Sequence, residues 1–219
     1  MTPAPHSGIT HSTDPANAVQ DQRTYDAVTG YLEVTDLKQY AWCPRIPFYR
    51  YCLPRIRPVT YAMREGILSH QEESEREERR SLRAYGLTHG ERRFDLALSS
   101  QRLGLIGRLD LAIRLENEAV VVDYKLTRDP VGSHYRLQLA AYALLLEEAW
   151  SLPVTRAFIY QIPLRHADEV RLTPQLRRQV SATAAAIRRN VAAEQMPPPC
   201  ARRSRCVTCE FRRFCNDAL

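Results

Sequence analysis

Between Arg92 and Leu126 the chain passes through three consecutive segments patterned as strands: RRFDLALSS, LGLIGRLDLAIRLE and AVVVDYKL. The first two alternate apolar and polar residues, and the third carries an apolar run that reads as a more buried strand. Successive side chains of a strand point to opposite faces, so the alternation fixes which residues can share a face. Helical patterns bracket the strands. TYAMREGILSHQEESEREERRSLRAY, from Thr60 to about Tyr85, precedes them, and SHYRLQLAAYALLLEEAW follows the Asp129-Pro130 break. Two further strands, VTRAFIYQIP and ADEVRLT, lead to a last helix that opens at Thr173-Pro174 as N-cap and first-turn proline and stops at MPPP. Helix, three strands, helix, two strands, helix is an α/β domain with a mixed sheet.

The segments outside this frame are less ordered in pattern. Residues 1–30 are rich in Pro, Ser, Thr, Asp and Ala with no apolar period and read as a loose tail. Thr35 is placed to cap a short helix carrying Leu37, Tyr40 and Ala41, which Pro44 ends. Pro44, Pro47, Pro54 and Pro58 then predict an irregular path to about residue 60. In the first long helix the run QEESEREERR mixes charges at i,i+3 and i,i+4, the pattern of a solvated face laced with ion pairs. No stretch has the n- and h-regions of a signal peptide, and none approaches the ~18 apolar residues of a membrane span. The sequence therefore reads as a cytoplasmic protein without membrane association.

Two strand residues are out of place for packing. In GRLDLAIRL the apolar set Leu109, Leu111 and Ile113 puts Asp110 on the opposite face, and in VVVDYKL the residues Val121, Asp123 and Lys125 share a face. A hairpin turning at Glu116-Asn117 sets Asp110 directly opposite Asp123, roughly 4.5–5.5 Å apart. Like charges so placed repel unless a cation lies between them, and a divalent ion such as Mg²⁺ or Mn²⁺ suits hard carboxylate oxygens. Lys125 lies two residues along on that face, where an ammonium can stabilise a developing phosphate charge or orient an attacking water, or simply neutralise the carboxylates. His70 on the preceding helix can reach the same ion. On the following helix Gln138 and Tyr142 share a face at i,i+4, with Tyr135 a further turn back.

The remaining chemistry is in the cysteines. Four of the six stand in CARRSRCVTCEFRRFC, Cys200 to Cys215. Without a secretion signal they read as metal ligands rather than disulfides. Two sets are open: a local tetrahedral site of Cys200, Cys206, Cys209 and Cys215, suited to structural zinc, or Cys43 from far upstream with Cys206, Cys209 and Cys215. Four thiolates also suit an iron–sulfur cubane. The interleaved Arg202, Arg203, Arg205, Arg212 and Arg213, in a chain of net charge +6, are candidates for phosphate contacts, or for solubility and contact with the acidic helix 60–85.

Together these motifs resemble the PD-(D/E)XK nuclease superfamily in its RecB-like branch: His70, the G-x-x-D of Gly107–Asp110, the D-x-K of Asp123-Tyr124-Lys125, and the Q-x-x-x-Y of Gln138–Tyr142. The resemblance implies a restriction-endonuclease-like core over 60–195. His70, Asp110, Asp123 and the carbonyl of Tyr124 would ligate Mn²⁺ or Mg²⁺, Lys125 would assist water attack, and Gln138 and Tyr142 would face DNA or support the site. A subset of that branch carries one cysteine before the core and three after it, holding a [4Fe–4S] cluster. The match here is Cys43, supplied by a segment 31–59, with Cys206, Cys209 and Cys215 in a C-terminal segment 196–219. Size and the single nuclease domain are similar to the CRISPR-associated RecB-like exonucleases. These would be metal-dependent deoxyribonucleases that trim single-stranded or frayed DNA ends of spacer precursors, in company with the spacer integrase complex. A RecB-like repair nuclease, or a zinc-stapled DNA-binding subunit without catalysis, shares the same residues.

Overall fold

The computed structural model describes residues 30–53 and 58–217. The expected tail therefore lies outside the described residues except for Gly30, as does Pro54. Five helices and six strands follow in order: β1 (Leu32–Glu33), α1 (Val34–Trp42), α2 (Arg45–Cys52), α3 (Tyr61–Glu78), β2 (Glu91–Ser100), β3 (Leu105–Arg114), β4 (Ala119–Lys125), α4 (Ser133–Trp150), β5 (Arg156–Gln161), β6 (His166–Arg171) and α5 (Pro174–Ala192). The three-strand meander, the helix after it, the next two strands and the last helix stand where the alternation places them. Thr173 accepts from the Leu176 N–H with Pro174 in the first turn, as its N-cap position requires.

All six strands form one sheet. β3 pairs antiparallel with β2 from Glu91↔Arg114 to Ser100↔Leu105, skipping Asp95 and Asp110, and with β4 from Leu111↔Val122 to Arg114↔Ala119. β5 runs parallel to β4, and β6 antiparallel to β5. One face carries Leu111, Ile113, Val120, Val122, Tyr124, Phe158 and Tyr160, packed under Leu82, Tyr85 and Leu87. The other face is covered by α4, whose buried Leu137, Ala140, Ala141 and Leu145 extend over β4 and β5. A bidentate Arg177–Glu147 pair at 2.6 and 3.0 Å ties α5 to α4.

Four expectations are corrected. The first helix is capped at Glu33, not Thr35, through a reciprocal box with Asp36. Residues 45–52 are helical rather than irregular. Pro44 is the N-cap of α2 and Pro47 lies in its first turn, where the missing N–H has no intrahelical partner to lose. The buried Asp36 then accepts from Arg50 and Tyr51 and holds α2 against α1. The helix expected from Thr60 to Tyr85 ends at Glu78, and Leu82–Tyr85 form a separate 3₁₀ turn closed by Gly86 at φ 66°. Finally, the QEESEREERR run is not wholly solvated: Glu73 and Glu77 are buried, held by Arg80 from the end of the same run.

Candidate active site

A strand has two edges. β2 runs along one edge of β3, so β1 and β4 must share the other. β1 runs parallel to Leu105–Ile106 and β4 occupies Leu111–Arg114. Residues 107–110 are thereby left without a strand partner on that edge. This gap holds the G-x-x-D segment. The Tyr142 hydroxyl enters it and donates to the Arg108 carbonyl at 2.7 Å, supplying the hydrogen bond a neighbouring strand would have made. Gly107 makes that approach possible: a Cβ there would stand 2.8 Å from Tyr142 Cε1 and 2.9 Å from Val34 Cγ2. Asp110 ends the gap, and its Oδ2 accepts from the Tyr124 N–H at 2.7 Å. The paired residues obey the register expected of a turn at Glu116-Asn117, so Asp110 and Asp123 come next to each other where the ladder opens.

The charged side chains converge from three elements. His70 on α3 places Nδ1 3.0 Å from Asp110 Oδ1. Lys125 forms an ion pair with Asp123, two residues back on the same face. Gln138 of α4 points its Nε2 at Asp123 Oδ1, at 3.4 Å. Burial pushes the Asp110 carboxyl up, but His70, Lys125 and the Tyr124 N–H outweigh it and hold the carboxyl below its usual range. Asp123 goes the other way. Burial dominates and Asp110 adds to it, so its pKa is raised despite Lys125. Burial works against the Lys125 charge, yet the two aspartates keep its pKa above the usual lysine value. Two carboxyls pushed apart in this manner beside a fixed ammonium are what acid–base and phosphoryl chemistry needs.

Two carboxylates and an imidazole are donors of the kind a hard divalent ion takes, and on this count the residues fit one. Among the described residues, however, no three such groups are arranged to hold an ion as they stand. The His70–Asp110 contact and the Asp123–Lys125 pair occupy the oxygens an ion would use.

The cysteines meet at a second place. Cys43, Cys200, Cys206, Cys209 and Cys215 all line one small cavity of about 20 Å³, walled by Ile46, Tyr49 and Phe211. Thiols from both ends of the chain thus face one apolar space, which fits a thiolate-bound group in kind. Cys215 accepts from Arg45 at 3.5 Å; its backbone bond and these neighbours overcome burial and lower its pKa, while burial raises Cys209 to about 11. Cys200, a candidate only for the local site, is buried on the same cavity. Cys52 is not among the lining residues. The tail arginines divide. Arg205 stacks over Trp42 at 4.5 Å and donates to the Trp42 carbonyl at 2.7 Å, and Arg203 donates to the Asp217 carbonyl at 2.7 Å. Both contacts tie the segment down, and neither arginine pairs with the acidic helix among the described residues.

No motif signals the ribbon joining the two places. Trp42 meets His134 edge-on at 5.0 Å, His134 lies 4.0 Å from Tyr135, and Lys125 sits 5.6 Å from the Tyr135 ring. His134 folds back onto Gly132, where a Cβ would stand 2.6 Å from its ring. Burial, then Lys38, Arg205 and Lys125, depress His134 to about 4. A base so depressed contributes stability that is present above its ordinary value of 6.5 and is lost as pH falls towards 4. Thermal unfolding of His134→Gln against pH is expected to lose that part of the slope. A variant curve parallel to the parent's would show that the ring is not the group responsible.

Residues 57–216 match the PD-(D/E)XK nuclease superfamily. The chain is 30% identical over 186 residues to the CRISPR-associated exonuclease Cas4 of Francisella tularensis subsp. novicida, covering 85% of this chain and 94% of the relative. It is 34% identical over 190 residues to the protein of the same name from Aeropyrum pernix, covering 84% and 94%. A CRISPR-associated exonuclease Cas4/endonuclease Cas1 fusion from Rhodospirillum rubrum is 32% identical over 125 residues, or 55% of this chain and 21% of the fusion.

Proposed function

This chain belongs to the PD-(D/E)XK nuclease superfamily and, within it, to the family of the CRISPR-associated exonucleases, and we propose that it is a metal-dependent deoxyribonuclease trimming single-stranded or frayed DNA ends. The observation that carries the reading is the meeting of His70, Asp110, Asp123 and Lys125 at the gap in β3. His70, Asp110, Asp123 and the Tyr124 carbonyl would hold Mn²⁺ or Mg²⁺, which when bound supplies a polarised phosphoryl oxygen and an acidified water. The chain's own residues do the rest. Lys125 keeps its ammonium beside Asp123 and offers it to the charge that grows on the phosphoryl oxygens. Gln138 steadies Asp123, and Tyr142 fixes the strand that carries Asp110. Water adds to phosphorus and gives up a proton, the bond to the departing sugar oxygen breaks, and that oxygen takes up a proton in exchange.

Cys43, Cys206, Cys209 and Cys215 would bind a [4Fe–4S] cluster that clasps the two ends of the domain. Cys200 on the same cavity favours one second reading, a zinc site that includes it. The substrate would be spacer-precursor DNA and the partner the spacer integrase complex, a reading supported by the fusion relative whose name joins an exonuclease to an endonuclease in one chain. Among the described residues no helix is long and apolar enough to cross a membrane.

The test is cleavage of end-labelled single-stranded DNA with Mn²⁺ or Mg²⁺, stopped by EDTA and restored by either ion. Intact substrate under all metal conditions would overturn the nuclease reading and favour a DNA-binding subunit.

A further inference from the structure

One residue, Arg45 at the start of α2, touches sulfurs from both ends of the chain. Its backbone N–H meets the sulfur of Cys43, two places back. Its guanidinium reaches the C-terminal segment, where Nη1 lies 3.5 Å from Cys215 Sγ and Nε donates to the Pro197 carbonyl at 2.9 Å. Cys215 gathers three donors: the Arg45 guanidinium, the Tyr49 hydroxyl and the Asp217 N–H. Tyr49 is held for that contact by stacking on Phe211, with ring centroids 5.2 Å apart. Cys200 differs, because its S–H donates to the Arg202 carbonyl at 3.5 Å, with Arg205 Nη1 standing 3.9 Å away.

A sulfur that collects donors is set up as a thiolate, and a cationic donor makes the stronger bond. In a space walled by Ile46, Tyr49 and Phe211 an added negative charge is poorly solvated, so a fixed cation there counts for more than in water. Arg203 and Arg212 also line the cavity, but both are exposed and screened by solvent. The Arg45 side chain is 12% exposed. Asp217 opposes it, since its Oδ2 pairs with Arg45 Nη1 at 2.5 Å.

We infer that Arg45 is a positioning residue of the thiolate centre, holding the Cys215 sulfur in place and favouring the reduced, more negative state of the group bound there. Tyr49 acts on the same sulfur in the same sense, and Asp217 acts against both. This role rests on the reading of Cys43, Cys206, Cys209 and Cys215 as [4Fe–4S] ligands. Hydrogen bonds and charges at the ligating sulfurs set the reduction potential of such clusters.

Arg45→Gln, in the full chain purified without air, is expected to move the one-electron couple about tenfold towards the oxidised side. That is about 59 mV to lower potential in a mediated titration followed by visible absorbance. Arg45→Lys should recover part of the shift, and Asp217→Asn should shift the couple the other way. Tyr49→Phe keeps the ring on Phe211 and should lower the potential by less; with Asp217→Asn it carries the test if Arg45→Gln does not hold its iron. The opposite signs separate charge from packing. If Arg45 and Asp217 merely pinned the C-terminal segment, both variants would shed iron faster and leave the potential in place. Potentials equal to the parent's in variants that keep their iron would therefore overturn the role of Arg45 and leave the cluster reading intact. A parent that holds zinc, or neither iron nor acid-labile sulfide, would overturn the cluster reading itself and this role with it.

Discussion

Asp123→Asn is expected to lower DNA cleavage in Mn²⁺ by roughly 10³-fold or more while the protein stays folded. Asparagine keeps the shape and the hydrogen-bond partner Gln138. It removes the negative charge that would help hold a divalent ion and that keeps Lys125 protonated in a buried position. Folding is expected to tolerate the change because Asp110 remains as a negative charge facing Lys125. Burial and Asp110 both raise the Asp123 pKa, so its own charge is disfavoured there. A thermal midpoint near the parent's, with cleavage lost, would identify a site residue rather than a scaffold residue. Lys125→Ala should show a loss of similar order, and the double variant little more than either alone, since groups that act as a unit are not additive. Cleavage within a few-fold of the parent in either single variant would remove these residues from the chemistry.

The second large effect is expected at Cys43. Cys43→Ser should reduce iron and acid-labile sulfide in anaerobically purified protein from about one [4Fe–4S] cluster per chain to near zero, whereas Cys200→Ser should retain them. The reason is position. Cys43 caps the end of α1, while Cys206, Cys209 and Cys215 lie on the C-terminal segment, so a shared group closes a very long loop. Losing that closure should also expose the C-terminal segment to proteases, which a digestion time course would show. Its other ties include Arg205 to the Trp42 carbonyl, Arg45 to Asp217, and Phe211 packed against Ile46 and Tyr49. The opposite pattern, metal kept in Cys43→Ser and lost in Cys200→Ser, with zinc in place of iron, would assign the local four-cysteine site.

Much of the site was legible because its signals are short-range. The period of two put Asp110 away from Leu109 and Leu111, and put Asp123 with Lys125. The position of the Glu116-Asn117 turn then fixed the register between them. The i,i+4 spacing put Gln138 and Tyr142 on one helix face. Where single-sequence reasoning failed, a distant partner had changed what a local pattern means. QEESEREERR reads as solvated until Arg80 and the Tyr85 and Tyr160 rings close over Glu73 and Glu77. The proline-rich stretch after Cys43 reads as irregular until Asp36 takes Arg50 and Tyr51. His134 and Trp42 carry no motif, and only the packing of α1 on α4 joins them.

Local patterns of residues specify the strand meander, the helices around it, the neighbouring aspartates and the family to which they belong. That β1 and β4 divide one edge of β3, leaving 107–110 open for Tyr142, is visible only in the folded chain. Folding alone brings Cys43 and the cysteines of the C-terminal segment to one cavity. Alternation and turn length are properties of neighbouring residues, so a sequence displays them directly. Which segment occupies a strand edge, or which charge finds a partner, depends on chain brought back from far away, and that is settled only when the core closes.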